Sequence, residues 1–360
     1  MIQPARRALA GLELLMIPSP FLLYLGDSQD ELSVKTSRGV AVWRPQACVG
    51  EFRGPKCNQT LGLPHLTFED AKAKGAKTVI IGVANAGGIM GPSIVADVVA
   101  ALRAGLNVAS GLHDRLTNHP EIVDAAKAGG LELFDVREPP ANIPVGNGRP
   151  RDGLRLLTVG TDCSVGKMYT TLALEREMQA RGLKADFRAT GQTGIFIAQS
   201  GVPIDAVIAD FISGAAEQIS PARHDGGWDL LEGQGSLFHP SYAGVSLGLL
   251  HGAQADALVI CHQPGRESMR GLPGRALPDL KTCLEANLAA ARLTSPDVIA
   301  VGVALNTSGM APEAAQRACA EASDLLGLPA QDPVSMGVNL IVDRLISCFE
   351  PSKLAVSTGR

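Results

Sequence analysis

The sequence predicts a two-domain α/β protein built on parallel sheets. Three observations carry that expectation. Short apolar runs, many of them closed by glycine, alternate with stretches of helical periodicity. The alternation restarts after a proline- and glycine-rich stretch, EPPANIPVGNGRPRDG at 138–153. The 360 residues are 46% apolar and include 40 glycines, enough for sizeable cores joined by many tight turns.

The elements follow in order. FLLYLG at 21–26 reads as the first buried strand, GVAVWRP at 39–45 as the next, and TVIIGVA at 78–84 as another. The turn-rich NAGGIMGP leads into an amphipathic helix over SIVADVVAALRAGL, and NVASG at 107–111 is a short strand. HPEIVDAAKAGG then reads as a helix and LELFDVR at 131–137 as a strand. The second half opens on the strand LRLLTVG at 154–160, a polar glycine loop and a helix from about 167 to 181. Strands are expected at LKADFRA, DAVIADF, WDLLEG, ADALVICH and PDVIAVGVAL. Helices are expected at GVSLGLLHGAQ, LPDLKTCLEANLAAA, APEAAQRACAEASDLLG and NLIVDRLISCF. These readings set domains at 1–138 and 154–360, with 139–153 as a linker.

Composition excludes several classes. A net charge of -4 with no basic tract gives no nucleic-acid surface, and 4% aromatic residues give little to stack bases on. Seven cysteines without CxxC spacing fit a reducing cytoplasm better than a disulfide framework. Arg6 and Arg7 precede ALAGLELLMI, but Glu13 interrupts that run and Pro18 and Pro20 follow it, so it reads as neither a signal peptide nor a membrane span.

The strongest local signal is GTDCSVGKMYT at 160–170, between a strand and a helix. It is similar to a Walker A loop, G-x-x-x-x-G-K-[ST], with two departures. Five residues separate Gly160 from Gly166, and Met168 follows Lys167 where a hydroxyl residue usually stands. The lengthened form looks like the loop of dethiobiotin synthetase-type P-loop proteins. Glycines let consecutive amides turn inward, the helix start adds unpaired N–H groups, and Lys167 supplies a point charge. Gly160, Thr161, Asp162, Cys163, Ser164, Val165, Gly166, Lys167 and Met168 are therefore candidates for holding a nucleotide phosphate or a coenzyme diphosphate. A thioether cannot hold magnesium as a hydroxyl does, so phosphate binding is better supported than ATP hydrolysis.

Further polar groups sit at expected strand ends, where open parallel sheets place ligands. Glu232 closes WDLLEG and can bind a metal, position an amine or act as a base; capping the amides of 233–236 is the competing reading. His239 in LFHPSYAG can accept an amine proton, with a structural hydrogen bond as the competing role and His262 as a rival. Arg188 can clamp a carboxylate, with Gln192 and Ser213 completing an acceptor pocket; an internal ion pair is the alternative. Asn306 can read an adenine edge, and Asn85 lies in a loop that can face substrate. HDRLTNHP at 113–120 lacks secure zinc spacing, so the use of a divalent cation stays open.

Several long segments occur in a characteristic order: LYLGDSQDELSVKTSRGVAVWRPQACVG, KTVIIGVANAGG, GTDCSVGKM, DFRATGQTGIFI, LLEGQGSLFHPSYAGVSLGLLHG and ICHQPGR. Together they resemble the DUF1611 family over nearly the whole chain. The resemblance implies an N-terminal Rossmann-like domain followed by a P-loop NTPase-like parallel-sheet domain. It also implies acetyl transfer from acetyl-CoA to the amine of D-glutamate, with 160–167 holding coenzyme phosphates. Lys167, Glu232 and His239 then become the candidate catalytic groups, working by direct attack of the amine on the thioester. A homo-oligomer is expected. An ATP-dependent ligase or kinase, and a nucleotide sensor, remain the alternatives at this point.

Overall fold

The computed structural model describes residues 6–9, 12–15, 17–31, 33–83 and 88–349. They fall into two compact units. The first comprises residues 1–140 and 191–206, and the second 141–190 and 207–360.

In the first unit, β1 (Arg6–Leu9) and β2 (Leu12–Leu15) form an antiparallel pair. Then come β3 (Phe21–Gly26), α1 (Lys35–Trp43), β4 (Cys48–Arg53), α2 (Phe68–Ala73), β5 (Thr78–Ile81), α3 (Pro92–Arg103), β6 (Asn107–Ser110), α4 (Pro120–Gly129) and β7 (Leu133–Asp135). The sheet order is β4-β3-β5-β6-β7, with every pair parallel. Strands β3 and β5 are buried along their whole length, which is why they read as unbroken apolar runs. Leu22, Tyr24, Val79, Ile81, Val98, Leu102 and Val108 form the core on one face.

The expected strand at 39–45 is instead the end of helix α1, and the sheet takes its strand from CVGEFR at 48–53. The helix buries Thr36, Ser37, Gly39 and Val40. This face is mostly small and polar, and its Val40 alternates in sequence with the exposed Val42, so the run imitates a strand. Ser37 lies so close to Gly82 that a Cβ there would stand 1.7 Å from the Ser37 hydroxyl.

In the second unit, β8 (Leu154–Gly160), α5 (Lys167–Ala180) and β9 (Ala185–Arg188) come first. The chain then returns to the first unit with α6 (Gln192–Ala198), whose Thr193 hydroxyl bonds that of Thr36 at 3.0 Å. Residues 191–206 thus leave the continuous 154–360 domain that the sequence suggested. DAVIADF is not a strand: 204–206 and 209–211 are single 3-10 turns, and Ile208 is exposed.

The second unit continues with α7 (Ile212–Ile219), β10 (Trp228–Leu231), α8 (Ala243–Ala253), β11 (Ala257–His262), α9 (Leu280–Ala291), β12 (Ile299–Leu305), α10 (Pro312–Leu326), β13 (Ala330–Gln331) and α11 (Asn339–Phe349). The six strands run in the order β13-β12-β11-β8-β10-β9, all parallel. This places β8 between β10 and β11, so the ends of all three meet at one sheet edge.

Residues 141–153 are stitched to the second unit rather than left as a tether. The Glu217 carboxylate accepts from the amides of Asn147 and Gly148, and Arg151 donates to the carbonyls of Gly252 and Ala253. Among the described residues, no helix is long and apolar enough to cross a membrane.

Candidate functional site

The site is built where β8 gives way to α5. Gly160 must stay small, since a Cβ there would stand 2.9 Å from the Cys261 carbonyl oxygen. Gly166, at φ +102°, takes the left-handed turn into the helix. Among the described residues, the amides of Asp162 through Met168 donate to no protein acceptor. A run of inward-turned N–H groups at a helix start is an anion cradle. Lys167 lies beneath it, only 7% exposed, and its ammonium donates to the Asp162 carbonyl oxygen at 2.8 Å. Burial holds that ammonium below the ordinary lysine range.

Neighbouring strand ends wall the loop. The Thr161 hydroxyl bonds His262 Nδ1 at 2.9 Å, and the Ser236 hydroxyl donates to the Thr161 carbonyl at 3.1 Å. Gly233 follows β10 so closely that a Cβ would stand 1.6 Å from the Thr158 carbonyl oxygen and 3.0 Å from the Lys167 side chain. Burial, and then the charge of Arg266, keep His262 below its usual pKa, so the ring is neutral near pH 7.

Two arginines that the sequence reading did not single out strap the loop. Asp162 is wholly buried; its Oδ2 accepts from Arg266 at 2.9 Å and from the Arg270 amide at 2.7 Å. Arg266 also donates to the carbonyls of Cys163 and Ser164, and the Arg270 guanidinium bonds the Ser164 hydroxyl. The available signal was ICHQPGRESMR, which puts two arginines four residues apart just after a strand end.

The candidate residues divide. Asn306 stands beside Gly166, within 3.8 Å of where a Cβ would lie, so it does border the loop. Glu232, 5% exposed, accepts from the Thr190 amide at 3.0 Å rather than serving only as a cap for its own loop. His239 is 2% exposed and has both nitrogens engaged. Its Nδ1 accepts from the Ser241 amide, so Nε2 carries the proton and donates to the Arg270 carbonyl at 3.0 Å. This satisfied, structural imidazole is the outcome that competed with a base.

Arg188 does not offer a free clamp. Its guanidinium binds Asp229, which is 0% exposed, at 2.7 Å, and shares that buried carboxylate with Arg223 at 3.0 Å. Ser213 lies between helices, donating to the Gly248 carbonyl and packing against Gly252. Gln192 sits beside Gly111 in the first unit. Asn85 lies outside the described residues. Burial pushes the Cys163 thiol up, so it is not primed as a nucleophile.

Two family models match the chain. Residues 49–139 match the DUF1611 N-terminal Rossmann-like domain, and 144–342 match the DUF1611 C-terminal P-loop domain, each described as a domain of unknown function. The chain belongs to the DUF1611 family. This DUF1611 protein is 49% identical over 331 residues to a D-glutamate N-acetyltransferase of Pseudoalteromonas sp., covering 92% of this chain and all of the relative. It is also 49% identical to one of Tritonibacter scottomollicae, covering 92% and 99%. A crystal structure of a DUF1611 protein from Anabaena variabilis superposes with a TM-score of 0.82 at 30% identity, over 92% of this chain and 100% of that one.

The loop of this family member suits a phosphate ester better than magnesium–ATP. Met168 supplies no hydroxyl at the position after the lysine, and the threonines that follow on the helix donate to its own backbone, Thr170 to the Gly166 carbonyl and Thr171 to that of Lys167. The orphan amides and buried lysine fit a coenzyme diphosphate. Asp162, Cys163 and His239 bring possible ligand atoms within 4.8 Å of one another. As they stand, however, Asp162 is paired with Arg266 and both His239 nitrogens are occupied.

Proposed function

We propose that this chain transfers the acetyl group of acetyl-CoA to the amine of D-glutamate. The relatives named D-glutamate N-acetyltransferase, at 49% identity over almost their full length, support that activity. One structural observation agrees with it: a loop rich in unpaired amides, carrying Lys167 followed by Met168 in place of the usual hydroxyl residue.

Coenzyme phosphates lie on the amides of 162–168 with Lys167 beneath them. Lys167 thereby holds phosphate charge, because the pantetheine arm separates the diphosphate from the thioester. The arm runs along the strand ends past Gly233 towards β9, where Glu232 stands beside Thr190. Glu232 takes a proton from the D-glutamate ammonium, and the neutral amine attacks the thioester carbonyl. A C–N bond forms, the C–S bond breaks, and the departing thiolate takes the second amine proton. The products are N-acetyl-D-glutamate and free coenzyme A.

The raised thiol of Cys163 favours direct attack over an acetyl-cysteine intermediate. We further propose that the chain is a homo-oligomer of the cytoplasm; the seven free cysteines agree with a reducing compartment.

Incubation with D-glutamate and acetyl-CoA, with products identified by mass, is the deciding assay. It should give N-acetyl-D-glutamate and free CoA in equal amounts. D-Glutamate-dependent conversion of ATP to ADP without acetylation would favour a ligase or kinase instead.

A further inference from the structure

We propose that Arg270 is a second phosphate clamp of the coenzyme site, selecting an acetyl carrier with a phosphoryl group beyond the one held by the loop. The inference rests on the acetyl-CoA reading above and names a residue that decides which acyl carrier is used.

The backbone of Arg270 is fixed from both sides. Its amide donates to Asp162 Oδ2, and its carbonyl accepts from His239 Nε2, so two buried side chains set its position. Its side chain, by contrast, is exposed. Among the described residues it has no carboxylate partner, and its only side-chain hydrogen bond runs from one terminal nitrogen to the Ser164 hydroxyl. The other terminal nitrogen and Nε are unengaged at the mouth of the amide cradle. Arg266 differs, because its charge is answered by Asp162.

Charge arithmetic points the same way. Lys167, Arg266 and Arg270 bring three positive charges to the loop, and Asp162 brings one negative, leaving an excess of two. A carrier with a single phosphate occupies the amides and Lys167 but leaves the Arg270 fork unanswered. A planar fork whose base is already fixed binds a second phosphoryl group with little loss of freedom. Coenzyme A offers two such groups, the second phosphate of its diphosphate and its 3′-phosphate.

Steady-state kinetics with acetyl-CoA, 3′-dephospho-acetyl-CoA and acetyl-phosphopantetheine tests this. The wild-type protein should show a KM for acetyl-phosphopantetheine at least about tenfold above that for acetyl-CoA. Arg270→Gln should raise the KM for acetyl-CoA by about tenfold, leave kcat and the D-glutamate KM near wild type, and narrow the discrimination by the same factor. Arg270→Lys should fall between, since it keeps charge but not the fork. If Arg270→Gln removes a penalty already present for the dephospho carrier, the contact is to the 3′-phosphate; if it reduces only the penalty for phosphopantetheine, the contact is to the diphosphate.

Retention of the wild-type carrier preference by Arg270→Gln would overturn the proposal. Absence of acetylated product from every carrier would instead count against the activity. Calorimetric titration with CoA and phosphopantetheine then still reads the arginine, through the same loss of preference in binding.

Discussion

The Lys167 ammonium donates to the main-chain oxygen of Asp162, five residues before it, across the loop that both residues build. This contact keeps a cation buried where an anion is expected, at a cost in stability that ligand binding relieves. Burial lowers the lysine pKa. Lys167→Met should therefore raise the Tm of the unliganded protein by about 2–4 °C, the response to roughly 1 kcal/mol in a domain of this size. CoA should raise the Tm of the wild type and leave that of the variant unchanged, as read by differential scanning fluorimetry.

Glu232 and His239 separate by function. Glu232→Gln removes the proposed proton acceptor and should lower kcat by about 10²–10⁴-fold with little change in the acetyl-CoA KM. His239→Asn should keep kcat within a few fold while costing about 1–3 kcal/mol in urea unfolding, because it removes a buried ring together with its two part-buried hydrogen bonds. The reverse pattern would make His239 the base.

His262 predicts an acid-side loss of stability. Its folded pKa lies below the ordinary 6.5, through burial and the facing Arg266. Below that ordinary value the unfolded chain binds the proton more readily than the fold, so stability is full above it and falls as pH drops towards the folded pKa. Thr161 faces the ring as a neutral hydroxyl and Arg266 as the charge. His262→Gln should flatten this component in urea midpoints taken from pH 8 down to pH 5. Equal slopes in variant and wild type would refute it.

Glu217 anchors residues 141–153. Its carboxylate accepts from the Asn147 amide, the Asn147 side chain and the Gly148 amide at 2.9–3.1 Å. Glu217→Ala should cost about 2–3 kcal/mol, the scale of losing buried hydrogen bonds to a charged group. Limited proteolysis should then cut within this stretch before it cuts elsewhere.

Much of the architecture was legible because its causes are local. FLLYLG, LRLLTVG and ADALVICH are strands because both sheet faces are covered, which makes their apolar runs continuous. The glycine loop was legible for a related reason: Gly160 and Gly166 meet backbone demands that only glycine satisfies. Helix α1 misled because it packs mainly through threonine, serine and glycine, and the Val40/Val42 alternation joins one buried and one exposed position. DAVIADF misled because its apolar letters never find a neighbouring strand.

The sequence by itself determined the alternation of elements, the phosphate-type loop and the family resemblance, since each is written in contiguous residues. Only the tertiary structure decided which polar groups are free. Arg188 belongs to Asp229, 41 positions away, and Asp162 to Arg266, 104 positions away. His239 spends both nitrogens on backbone groups, while Arg270 keeps most of its donors. Whether a charge binds substrate or closes an internal pair depends on which distant segment folds against it, and residue spacing along the chain carries no record of that.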